Sequence, residues 1–145
     1  MGHVPRRVVP FLAVLASLLS AAPAQAAAPN YILVSGPDVT RPIILGNWDE
    51  NGALLSALVD APIARGSRVR NLIRRPRFDL AEFWGWGSLP RPTRPSQANQ
   101  HGWLYPTHRS KPAVIVVMVD GARVPRLLPP GVREILARHH VPLRR

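Results

Sequence analysis

Apolar residues along this chain come in short runs separated by proline, glycine and polar clusters, a spacing that predicts several strands and a few helices. Tyr31 to Ser35 is rich in strand-forming residues, Gly36-Pro37-Asp38 supplies turn chemistry, and Arg41 to Trp48 reads as a second strand, so the first elements form a hairpin. Asn47 or Asp49 caps the helix that follows, in which Leu54, Leu55, Leu58 and Val59 mark one face and Pro62 forces an end near Ala61. A brief second helix is expected from Ser67, with Val69, Leu72 and Ile73 on one side, until Pro76 stops it.

Phe78 to Trp84 alternates as a strand, with Phe78, Leu80 and Glu82 on one face and Asp79, Ala81 and Phe83 on the other. Gly85, Gly87, Pro90, Pro92 and Pro95 then punctuate a long loop to about Gln100, and long ordered loops are often functional. Gly102 to Thr107 and Pro112 to Val119 read as strands joined around Arg109-Ser110-Lys111. The second is apolar at every position from Ala113 to Val119, as expected of an interior strand covered on both faces. Asp120-Gly121 is a strong hairpin signal leading into Ala122 to Leu128, and Pro129-Pro130 opens a last helix over Gly131 to His139. The order predicts an α+β fold, a mostly antiparallel sheet of about five or six strands with two or three helices packed on it.

The first 26 residues have a different character. Arg6 and Arg7 form a charged start, Val8 to Ala22 an apolar stretch, and Ala24-Gln25-Ala26 a small-residue cleavage site, the layout of a secretory signal peptide. The apolar stretch contains Pro10 and falls short of the roughly 20 residues needed to span a bilayer core. The expected organisation is a signal peptide over 1–26 and a single small α+β domain over 27–145, secreted or extracytoplasmic after cleavage near Ala26 and with no transmembrane segment. The Arg6-Arg7 pair leaves the twin-arginine route open beside the general one. The absence of cysteine excludes disulfides, thiol catalysis and thiolate metal sites.

Residues 27–145 carry 17 Lys and Arg against 8 Asp and Glu, a formal charge of +9. Six arginines fall within Arg65 to Arg77, the densest charge feature of the chain. If Ser67 to Arg75 is helical, Arg70 and Arg74 align one turn apart opposite an apolar pair, Val69 and Ile73. Such a helix would bind an anionic polymer or membrane surface through Arg68, Arg70, Arg74, Arg75 and Arg77, although charge runs are commonly just solvated faces.

Trp84, Trp86, Trp103 and Tyr105 cluster around the long loop together with His101, and aromatic faces beside flexible glycines can stack on sugars or bases when not consumed by core packing. His101 and His108 bracket one strand and would stand about 20 Å apart along it, too far to share a metal. No nucleophile signature, phosphate-binding glycine loop or dinucleotide fingerprint is present, and Asp79 and Glu82 face opposite sides of a strand. No cofactor or metal is therefore expected. The reading that follows is a non-enzymatic exported domain associating with anionic cell-envelope polymer or a membrane surface. Export makes nucleic acid an unexpected partner. The alternatives are a secreted hydrolase or transferase using His101 and His108 as bases, and an inhibitor or partner-binding module using the same loop.

Overall fold

A computed structural model describes residues 28–85 and 87–144 of the chain. The segment 1–26, expected to be a signal peptide, lies outside the described residues, as does Trp86. Six strands, β1 (Tyr31–Ser35), β2 (Ile43–Leu45), β3 (Phe78–Phe83), β4 (Gln100–Tyr105), β5 (Val114–Val119) and β6 (Ala122–Leu127), form one sheet in the order β2-β1-β3-β4-β5-β6. Every neighbouring pair is antiparallel. Two α-helices, α1 (Trp48–Val59) and α2 (Pro130–Arg138), complete an α+β fold.

The alternation of each strand decides what meets the helices. Ile32 and Val34 of β1, Phe78 and Leu80 of β3, Leu104 of β4 and Ile115 and Val117 of β5 join Leu54 and Leu58 of α1 and Val132, Ile135 and Leu136 of α2 in the main core. Asn47 caps α1 by accepting a hydrogen bond from the Glu50 amide at 3.1 Å. Asn51, wholly buried, ties this end of the helix to the sheet by donating to the carbonyls of Pro29 at 3.0 Å and Leu45 at 3.3 Å. α1 and α2 are joined through Glu50, which accepts from Arg138 and contacts the His139 imidazole, each at 2.8 Å. The hydrogen bond with His139 is the main force holding the Glu50 carboxyl below the usual carboxylate range.

The opposite face of the sheet is covered without α-helix. Leaving α1, the chain pairs with the edge of β6, where Leu127 donates to Pro62 at 2.9 Å and Ala64 to Pro125 at 2.9 Å. It then crosses to the far side, where Ala64, Val69 and Leu72 pack on Tyr105, Val114 and Val116. The long loop covers the other half, Leu89 and Ala98 lying on Leu33, Ala81 and Phe83. β5 is thus interior and buried on both sides through Val114–Val117, while Met118 and Val119 are half-buried. Asp120 (φ 49°) and Gly121 (φ 77°) make the left-handed turn that their sequence predicts between β5 and β6.

The second expected helix is not formed. Two 3₁₀ turns, Gly66–Arg68 and Leu72–Arg74, take its place, separated by Asn71 in the left-handed conformation at φ 59°. The sheet needs apolar cover from Val69 and Leu72, three residues apart, and leaves Ile73 88% exposed. Packing on the sheet therefore overrides a helical pattern too short to be stable alone.

Candidate functional site

Without the helix, Arg70 and Arg74 are not one turn apart on a shared face, and the expected apolar pairing of Val69 with Ile73 does not occur. Arg65, Arg68, Arg70, Arg74 and Arg77 are nevertheless all exposed. No carboxylate lies within ion-pair distance of the first four among the described residues, and Arg77 reaches Asp79 only at 3.7 Å. Arg75 differs from the rest. It is 8% exposed, and its guanidinium donates to the carbonyls of Pro106 at 2.7 Å and Pro112 at 3.0 Å, fastening the 62–75 segment to the ends of β4 and β5. Burial with no facing carboxylate lowers its pKa from the ordinary arginine value.

The candidate aromatic residues among the described ones do not converge on one place. His101, Trp103 and Tyr105 share the face of β4 that points away from the helices, but Tyr105 is buried under the 62–75 segment. His101 is exposed beside Ala81. Trp103 is half-buried, with the Arg123 guanidinium 4.0 Å and the Arg77 guanidinium 5.0 Å from its ring centroid. Guanidiniums that rest on an aromatic face lose little further freedom when they bind an anion. Trp84 is turned elsewhere, its indole donating to Glu82 at 3.0 Å and its amide to the Asn99 side chain at 2.7 Å. Glu82 is buried, and burial raises its pKa against the weaker opposing effect of the Trp84 hydrogen bond. Leu89 and Ala98 of the long loop cover an apolar half of the sheet.

Residues absent from the sequence-based candidates complete the basic surface. Arg123 joins from β6, and Arg109 and Lys111 join from the tight turn in which His108 and Lys111 exchange backbone hydrogen bonds at 3.1 and 3.0 Å. The turn looked like a plain connector, and its only signal was two basic residues at its tip. Lys111 Nζ also donates to the Arg70 carbonyl at 3.2 Å, which places the turn against the arginine-rich segment.

The segments that cover the two sides of the sheet differ in charge, while Asp79 of β3 shares the non-helical face with Trp103 and α2 carries Arg133 and Arg138. The stretches 61–78 and 83–119, which supply both non-helical covers, contain no Asp or Glu. On the other side Asp49, Glu50 and Glu134 belong to the two helices, and Asp60 follows α1 directly. The fold and the surface together define a cysteine-free α+β domain with one strongly cationic side. No protein-family model matches the chain, and neither a curated protein nor a solved structure does.

Proposed function

We propose that this chain is a non-enzymatic exported binding domain whose cationic side associates with an anionic cell-envelope polymer or membrane surface. The signal-peptide pattern over 1–26 supports the location. The observation that carries the binding is the charge of the covers: both segments over the non-helical face are free of Asp and Glu, while Arg65, Arg68, Arg70, Arg74 and Arg77 project from one of them. Like charges held together with few counter-charges create a field that attracts an extended anion. Arg77 and Arg123 on Trp103 extend it across the open part of the sheet.

Cosedimentation with phosphatidylglycerol-containing vesicles and with purified cell walls tests the reading. Retention is expected at low salt and should fall steeply as salt rises, since exposed charges are screened over about 8 Å at physiological ionic strength. The Arg68→Gln/Arg70→Gln protein should lose much of it. The Arg41→Gln/Arg138→Gln protein, which loses the same charge elsewhere, should be retained nearly as well as the parent. Equal loss in both would reduce the effect to net charge, and no salt-sensitive retention would overturn it.

A further inference from the structure

The turn His108–Lys111 and the segment Asn71–Arg75 face each other across a cleft of about 390 Å³ lined by Asn71, Arg74, Arg75, His108, Arg109, Ser110 and Lys111. Four of these residues are permanent cations and none is a carboxylate. Arg75 is more than nine-tenths buried and its guanidinium donates to the carbonyls of Arg68, Pro106 and Pro112, yet its Nε has no partner among the described residues. His108 Nδ1 is likewise buried and without a partner among the described residues. Buried polar atoms are nearly always hydrogen-bonded, and buried charges are nearly always paired. Four cations around one cleft with no carboxylate in its lining make it a place where an anion would be favoured.

We propose that this cleft binds a tetrahedral oxyanion, the phosphate or sulfate group of an ester, between Arg74, Arg109, Ser110 and Lys111, with the buried Arg75 guanidinium adding its charge from the wall. The proposal rests on the preceding reading only for the class of ligand, an anion. A tetrahedral group suits the donors better than a carboxylate, because its oxygens point in several directions and can accept from several converging cationic side chains at once. The cleft exceeds a bare ion and lies in the range of about 300–1,000 Å³ typical of small-molecule sites, leaving room for the unit that carries the group. Arg109 also lines a second cleft with Thr107, Arg133 and Arg144, so successive anionic groups of one chain can be engaged from the same turn.

Thermal melting of the purified protein in millimolar phosphate, sulfate and acetate, each matched in ionic strength with chloride, tests the site. A ligand that binds only the folded state raises the melting temperature in proportion to the logarithm of its concentration once the site is saturated. Phosphate or sulfate should produce such a rise and acetate none, the larger rise showing which ester is the ligand. The Arg109→Gln/Lys111→Gln protein, altered only in the surface turn, should melt cooperatively and lose most of the rise. Arg65→Gln/Arg91→Gln should keep it. No rise, an equal rise with acetate, or a rise undiminished in the Arg109→Gln/Lys111→Gln protein overturns the site. Salt-sensitive retention on vesicles that persists under any of these results leaves the broader polyanion reading standing without it.

Discussion

Glu82 shows how one side chain can carry opposing demands. Its place in β3 puts it on the helix-facing side of the sheet, opposite Ile32 and Gln100, where burial disfavours the carboxylate. The Trp84 indole is its one hydrogen-bond donor among the described residues and offsets this only in part. A carboxyl whose folded-state pKa is raised binds its proton more tightly in the folded than in the unfolded chain. Its contribution is therefore most favourable at acid pH and is lost as pH climbs from the unfolded value, about 4.3, through the raised folded value. Glu82→Gln keeps an oxygen for the indole and removes the charge. Its melting temperature should exceed that of the parent at neutral pH, with the gap closing towards pH about 4. Identical melting curves across that range would show that the ionised carboxylate is fully compensated where it stands.

At the scale of elements, the covers of the non-helical face are the unusual feature. Sheets with exposed apolar faces or open edges invite association with other chains. Here one segment deals with both hazards, pairing residues 62–64 with the edge of β6 and then laying Val69 and Leu72 on β5. β6 tolerates Pro125 because it is the last strand of the sheet, and the Pro125 carbonyl still accepts from Ala64. Arg75 closes the segment at its far end by occupying carbonyls that would otherwise be unsatisfied. The arrangement distinguishes adjacent apolar residues that look equivalent in the sequence. Leu72→Ser should cost roughly 1–2 kcal/mol in denaturant unfolding, because Leu72 covers Val114 and Val116. Ile73→Ser, at a position 88% exposed, should stay within about 0.5 kcal/mol of the parent. Equal costs would mean that Ile73 is also packed, as a continuous helix would require.

For the whole molecule, charge is the dominant property. A formal +9 over residues 27–145, with arginine-rich covers that hold no carboxylate on the non-helical face, leaves that side self-repelling. Net charge of this kind works against the compact state. The melting temperature should therefore rise as sodium chloride is added up to about 0.15 M, where the screening length is about 8 Å. A falling temperature would mean that attractive ion pairs such as Arg138–Glu50 outweigh the repulsion. The same excess charge that costs stability provides the field for binding, so polyanions should stabilise the protein well beyond what simple salt does.

Local patterns in the sequence determined much of this architecture because each depends on near neighbours. Alternation in Phe78–Phe83, the unbroken apolar run into Val119, the Asp120-Gly121 turn, the Asn47 cap and the prolines before α2 each act within a few residues, and the antiparallel α+β fold follows from them. The arginine-rich segment was also legible as a basic surface, since charge does not depend on backbone form. What that segment does was decided only by tertiary contacts. Nothing local tells Arg75 from Arg74, yet one is buried against the Pro106 and Pro112 carbonyls and the other is exposed. Nor could spacing reveal that Trp84 would turn to Glu82 while Trp103 took Arg77 and Arg123, or that the His108–Lys111 turn would close a cleft with Asn71–Arg75. Apart from the Trp84–Glu82 contact, which is two residues long, these outcomes join residues 20 or more positions apart, and they are fixed by which apolar faces of the sheet each covering segment had to bury.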